Sequence, residues 1–143
     1  MSGPATGTRR HAREVAFRIA YQADVAGDAY VLAWSLRRDE EPLTDDQREL
    51  IEDIVRALES RGPEVDALLQ QAAEHWPLGR LAATDRAVLR VAIAELLARD
   101  GSPSRVVLDE AIDIARRYGS EESGRFVNGV LDRAVRTLRP AEF

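Results

Sequence analysis

An all-α domain is expected of this chain, on three grounds. Apolar residues recur at intervals of three and four along its whole length, and nowhere do apolar and polar residues alternate as in a half-buried strand. Helix-capping side chains and Gly or Pro breakers separate the periodic stretches. The 143 residues suit one domain, large enough to bury about 68–70% of the surface of the unfolded chain without disulfides or metals.

Residues 1–8 are small and polar, with Gly3, Pro4 and Gly7, and read as a mobile tail ahead of a domain spanning 9–143. A first helix runs from Arg9 to Ala26 and stops at Gly27. A shorter second helix covers Ala29 to Arg38, followed by the acidic loop Asp39-Glu40-Glu41-Pro42. Thr44 and Gln47 have the spacing of a capping box for a third helix, Asp45 to Arg61, with Leu50, Ile51, Ile54, Val55 and Leu58 as its core stripe. Gly62-Pro63 ends it, and a fourth helix, Glu64 to His75, breaks at Trp76-Pro77. The fifth reaches Asp100 and carries the most apolar face, Leu89, Ala92, Ile93, Leu96 and Leu97. It begins either near Leu78 or, after a short turn, afresh with Thr84 as N-cap. Gly101-Ser102-Pro103 closes it. Ser104 is the expected cap of a sixth helix, Arg105 to Tyr118, which ends at Gly119. Ser120 caps a seventh, Glu121 to Leu138, with Glu121 and Glu122 at the positive end of its dipole, and Pro140 stops it.

Composition narrows the function classes. The absence of Cys excludes disulfides, thiolate metal sites and cysteine nucleophiles. There is no Gly-rich phosphate loop, no two-His metal helix and no calcium loop, so neither cofactor nor metal is expected. No apolar run approaches the roughly 20 residues of a membrane span, and no apolar segment follows the N-terminal arginines as a secretory signal requires. A soluble, cytoplasmic protein is the expectation. Asp109, Glu110 and Asp113 gather on the sixth helix, where two carboxylates suit acid–base work. Arg116 and Arg117 stand at helical pairing distance from Asp113, and a solvated, salt-bridged face accounts for these acids better. With no partnering His or ligand set, catalysis is not expected. His75 reads as a helix-end residue.

The net charge is −5, and all 20 basic residues are Arg. Residues 1–22 carry +3 and the remainder −8. Charge alone is satisfied by a solvated, slightly basic first helix. At 100° per residue, Ala12, Val15, Ala16 and Ile19 form that helix's core stripe. Arg9, Arg10, Arg13, Phe17 and Tyr21 fall in an arc of about 120° elsewhere. Arginines interleaved with aromatics suit single-stranded nucleic acid, since guanidinium groups meet phosphates and rings stack on unpaired bases. Phe17 is better read as core, while Tyr21 fits either a contact or a boundary role. Four phosphate contacts on a single strand would give a salt slope near −2.8, roughly fifty-fold in affinity between 50 and 200 mM. That grip is modest and the acidic body opposes it, so a basic partner is expected to help.

Two further places break local rules. In Phe126-Val127-Asn128-Gly129-Val130-Leu131-Asp132 the flanks keep helical period, so Gly129 sits inside a helix at a cost near 1 kcal/mol relative to Ala. It lies on the polar side with Arg125, Asn128 and Arg133. Either a ligand approaches the bared backbone there, with Asn128 bonding a base edge, or a neighbouring segment packs closely. Asp85, in Thr84-Asp85-Arg86-Ala87-Val88-Leu89-Arg90, is either a first-turn acid of a fresh helix or a paired carboxylate on the apolar stripe.

Taken together, these residues resemble the NusB family of bacterial transcription factors. The resemblance rests on Arg9-Arg10-His11-Ala12-Arg13-Glu14 running into Ala20-Tyr21-Gln22 and on Trp76-Pro77-Leu78-Gly79-Arg80-Leu81 followed by Thr84 to Arg90 and Glu95-Leu96-Leu97. Pro103, Val106, Glu110-Ala111, Ala115, Tyr118-Gly119 and above all Phe126 to Asp132 continue it, in order, over about residues 9–138. It implies a seven-helix fold of two small helical bundles in one domain, and an adaptor rather than an enzyme. Such an adaptor would act in processive antitermination, notably on ribosomal RNA operons. It would bind boxA RNA of the nascent transcript together with NusE, a small-subunit ribosomal protein, within an elongation complex of RNA polymerase and other Nus factors. The resemblance places Arg9, Arg10, Arg13 and Tyr21 at the RNA with Phe126 and Asn128 nearby, and Asp85 and Arg86 at the NusE-facing surface. His11 stands where the family often has a third consecutive basic residue, which would weaken RNA binding and make it pH-sensitive. Some family members dimerise, so a homodimer stays open. The alternative function is a protein-interaction module whose arginine face and Gly129 patch bind acidic protein surfaces.

Overall fold

The computed structural model describes residues 8–99 and 101–142, and the expected tail at 1–7 and Asp100 lie outside the described residues. Seven α-helices follow in order: α1 Arg9–Ala26, α2 Tyr30–Arg37, α3 Asp45–Ser60, α4 Gly62–Ala72, α5 Ala83–Ala98, α6 Ser104–Tyr118 and α7 Glu121–Leu138. Short 3-10 turns occupy Leu78–Arg80 and Pro140–Glu142, and no strand occurs among the described residues.

α5 organises the fold because its sequence is apolar nearly all round. Ala87, Val88, Leu89, Val91, Ala92, Ile93, Ala94 and Leu96 are all buried, more faces than one neighbour could cover. It packs against α1, α3, α4, α6 and α7. α1, α2 and α3 pack on one another as one small bundle, and α4, α6 and α7 form the second, with α5 shared by both. The buried apolar side chains of the two bundles make a single continuous core.

Local chemistry sets the boundaries. Gly27 adopts the left-handed conformation, φ 74°, that ends α1 at low steric cost. The Thr44–Gln47 capping box forms reciprocally, the Thr44 hydroxyl accepting from Gln47 N and the Gln47 side chain accepting from Thr44 N. Gln47 is fully buried and its Nε2 also donates to the Thr8 carbonyl at 2.9 Å. Thr8, read in the sequence as the end of the tail, is therefore the N-cap of α1, its hydroxyl accepting from His11 N. Ser120 caps α7 by accepting from Ser123 N.

The larger departures from the sequence expectation fall at α4, α5 and α6. α4 begins at Gly62 and ends at Ala72 rather than His75, because Gln70 bonds the Trp76 carbonyl and Leu78 N and holds the chain in a turn. α5 starts afresh after a short turn, but Ala82 rather than Thr84 occupies the N-cap, so Asp85 is a first-turn acid. α5 ends at Ala98. Ser104 is the first residue of α6, not its cap, and its hydroxyl accepts from Arg139 Nη1 instead. Thr44→Ala is expected to cost about 1 kcal/mol, read as a lower urea midpoint at unchanged slope. Gln47→Ala is expected to cost more, since it removes the link from α3 to the Thr8 carbonyl as well as half of the capping box.

Candidate nucleic-acid interface

The arginines of α1 diverge. Arg9 reaches α3, donating from Nε and Nη2 to Asp46 at 3.1 Å each. Arg10 reaches α6, donating to Glu110 at 2.9 Å. Both side chains are more than half exposed, 51% and 58%. The neighbouring carboxylates raise both guanidinium pKa values, and hydrogen bonding to Arg9 lowers that of Asp46. Such exposed pairs contribute little to stability and exchange readily for another anion.

Arg13 corrects the expectation that it meets RNA. Its residue is 6% exposed, and Nε and Nη2 donate to both oxygens of fully buried Glu95 at 2.8 and 2.7 Å. Ser102 Oγ donates to the same carboxylate at 2.9 Å. Arg13 shares a row with Phe17 and Ala20, both buried, one and two turns further along α1. That row faces inward because α1 is enclosed by α3, α5 and α6.

Tyr21 is 39% exposed and lies beside buried Phe17, ring centroids 6.3 Å apart. Phe17 also meets Tyr118 at 4.8 Å. These rings and Arg18, Val25, Arg37 and Thr84 help line an open groove of about 520 Å³. Arg18 donates to Tyr118 Oη at 2.8 Å and Tyr118 donates to Glu14 at 2.9 Å, fixing the groove wall. His11 does not join the arginines at the surface, because its Nε2 lies 2.9 Å from Glu41 and ties α1 to the acidic loop.

Arg86 is likewise turned inward, against the expectation of a partner contact. It donates to Asp24 at 2.6 and 3.0 Å and to the Leu78 and Leu81 carbonyls, closing the 3-10 turn. Its neighbour Asp85 lines a separate pocket, of about 190 Å³, with Trp76, Arg80, Leu81, Ala82 and Phe126. One Asp85 oxygen, Oδ1, is buried without a hydrogen-bond partner. Burial raises the pKa of this carboxyl, with Ser123 opposing. Phe126 is half-buried and meets exposed Trp76 edge-on, centroids 6.2 Å apart. Asn128 is exposed on the same helix. Gly129 is not required by packing, since the nearest atom to a Cβ there is Arg133 Nη1 at 3.7 Å. Arg133 Nε donates to the Ala72 carbonyl.

Trp76, Arg80 and Arg125 are exposed residues that the sequence did not single out as contacts. Sixteen of the 20 arginines lie within 4.0 Å of a carboxylate. Among the described residues Arg48, Arg80, Arg125 and Arg133 do not. Arg125 has Glu121 and Glu122 four and three residues before it, at helical pairing distance, yet Glu121 goes to Arg116 at 3.3 Å. Asp109, Glu110 and Asp113 each pair with an arginine: Arg105, Arg10 and Arg117 respectively. No group of three or more His, Asp or Glu among the described residues could hold a metal ion, and no helix there is long and apolar enough to cross a membrane.

Residues 10–136 match the profile of the NusB family. The chain is 40% identical over 137 residues to the transcription antitermination protein NusB of Koribacter versatilis, covering 93% of this chain and 92% of that one. It superposes on T. maritima NusB with a TM-score of 0.87 at 35% identity, covering 96% of each chain. A crystal structure of antitermination factors NusB and NusE in complex with double-stranded RNA matches with a TM-score of 0.75 at 25% identity, over 90% of this chain and 96% of that one.

Arg13→Ala is expected to destabilise the fold by about 3–5 kcal/mol, because Glu95 is left buried without its cation. Arg10→Ala should leave the denaturant midpoint unchanged. Asp85 titrates higher when folded than unfolded, so its ionisation opposes folding. That penalty is absent below the unfolded carboxyl pKa, about 4, and is complete once pH exceeds the folded value. Asp85→Asn is therefore expected to be more stable than the parent at pH 7, with the gap closing toward pH 4 in urea titrations.

Proposed function

The chain belongs to the NusB family, and on that premise we propose that it is a transcription antitermination factor that binds boxA RNA of nascent transcripts, notably of ribosomal RNA operons. It acts in the cytoplasm as a non-enzymatic adaptor, together with NusE, inside the elongation complex of RNA polymerase and other Nus factors. The observation that carries this reading is the concentration, on one acidic protein, of solvent-facing arginines with aromatic rings. Arg9 and Arg10 are held only by exposed ion pairs, and Arg80 shares a pocket with Trp76 and Phe126.

Phosphate competes for Arg9 and Arg10 against solvated side-chain carboxylates, since binding releases counterions from the RNA. Tyr21, Phe126 and Asn128 complete the contact set, two rings for stacking and one amide for a base edge. Arg13 acts one step back, fixing the first turns of α1 through Glu95. Arg86 likewise holds the 3-10 turn in place. NusE is proposed to cover the groove beside Tyr21. Val25, Val31, Leu32 and Leu36 stand exposed around that end of the molecule, an apolar surface of the kind that marks protein–protein contacts. A basic partner there offsets the repulsion between RNA and the −5 chain.

Arg9→Ala/Arg10→Ala is expected to weaken boxA binding and to lower the slope of log K against log salt by about 1.4, two single-strand phosphate contacts. The check is a titration of boxA and scrambled RNA at two salt concentrations, with and without NusE. Equal binding of both RNAs in every condition, or an unchanged slope, would overturn the reading.

A further inference from the structure

The two solvent-facing arginines of α1 are already occupied. Arg9 turns the Nε–Nη2 edge of its guanidinium to both oxygens of Asp46, at 3.1 Å each, and Arg10 gives Nε to Glu110 at 2.9 Å. That edge is also one through which a guanidinium grips a phosphate with two bonds. The acids are not local neighbours on the helix. They lie 37 and 100 residues further along the chain, on α3 and α6. The tertiary fold, and not the spacing within α1, therefore sets an anion on each arginine. Asp46 stands in the first turn of α3, where the helix dipole favours a carboxylate. Its neighbour Gln47 is fully buried and bonds the carbonyl of Thr8, the cap of α1, so the first turns of the two helices are stapled together. The Glu110 side chain is only 15% exposed while that of Arg10 is 58% exposed, so the acid is the enclosed member of the pair and the arginine the outward one. Asp113, one turn on from Glu110, adds to the negative field that raises the Arg10 pKa.

Solvated pairs of this kind do little for stability. What they change is the encounter with a polyanion. A phosphate that approaches Arg9 or Arg10 either displaces a carboxylate or binds beside a like charge. Both routes weaken binding, and they do so for any RNA, because the phosphate backbone is common to all of them. A strand that offers only phosphates has no other contact to offset the loss, whereas one that also stacks and bonds through its bases does. The opposite role, carboxylates that aim the arginines at phosphate, predicts the opposite sign: removing the acids would then weaken binding.

We propose that Asp46 and Glu110 are built-in competitors of the RNA backbone: they occupy Arg9 and Arg10 in the free protein, give way to phosphate on binding, and hold the affinity for RNA at large below what the two arginines alone would give. The inference rests on the RNA-binding reading and adds to it two acids that touch no RNA yet set how tightly RNA is held. They act as repulsive elements, which lower the affinity for unwanted ligands where attraction alone would not discriminate.

The test titrates the full-length protein with boxA RNA and with scrambled RNA of the same length at two salt concentrations. Asp46→Asn and Glu110→Gln are each expected to raise the affinity for both RNAs about threefold, the scale of one exposed ion pair, and the double variant about tenfold if the two act independently. The slope of log K against log salt should stay the same, because the number of phosphate contacts does not change. Glu64→Gln removes the same single charge from the Arg61 pair on α4 and is expected to leave both affinities as they are. In an Arg10→Ala background Glu110→Gln should have no effect, which ties the gain to the guanidinium it frees and not to net charge. Urea midpoints report on the fold separately, and half-exposed Asp46 carries the test should Glu110→Gln lower its midpoint. Weaker binding by Asp46→Asn and Glu110→Gln would overturn the proposal and make the acids positioning groups. Unchanged affinities, or an equal gain in Glu64→Gln, would overturn it while leaving RNA binding through Arg9 and Arg10 standing. Failure of both RNAs to bind parent and variants alike, with and without NusE, would remove the RNA reading itself.

Discussion

The buried pair of Arg13 and Glu95 is the constraint from which the rest of the surface follows. Two charges taken out of water are tolerated only when their bonding capacity is filled. Here both carboxylate oxygens accept from the guanidinium, and Ser102 adds a third donor. The geometry fixes α1 against α5 in rotation as well as in distance, because a bidentate fork has one orientation. With Arg13 directed inward, Arg10 and Arg9 are carried outward toward α6 and α3 respectively. A helix with three arginines in its first five residues thus spends one on its own placement and leaves two facing solvent.

The acidic balance of the chain takes on a structural meaning. Most arginines on this protein are matched by a carboxylate, either one turn away as in Arg117–Asp113 or across helices as in Arg90–Asp66. Matched pairs at the surface hardly stabilise the fold, but they blank out non-specific attraction for polyanions.

Much of this was legible in the sequence. Seven helices, the Thr44–Gln47 box, the Ser120 cap and the stop at Gly27 all follow from local rules, because each is settled within one turn of chain. What escaped was settled across the fold. Gln70 ended α4 early by bonding residues six and eight positions on. Ser104 lost its capping role to Arg139, 35 residues away. The wheel of α1 did hold the cue for Arg13, since once Phe17 is read as core, a residue one turn earlier points the same way. Arg125 had no such cue, because spacing cannot reveal which of two arginines a glutamate will choose. The site residues divide on the same line: Tyr21 and Asn128 are exposed where the sequence put them at a surface, whereas Arg13 and Arg86 have internal jobs that only tertiary neighbours assign.

The last turn of chain reaches back into this arrangement. Arg139 donates to the carbonyls of Leu96, Arg99 and Ser102, closing the end of α5 and holding the loop whose serine faces Glu95. During synthesis the N-terminal helix emerges first, with its inward guanidinium, yet Glu95, its partner, follows 82 residues later and Arg139, which braces the Ser102 loop, later still. Domains usually acquire structure as they leave the ribosome. Here the opening segment waits, incompletely fixed, for α5 and then for the brace at the end of α7.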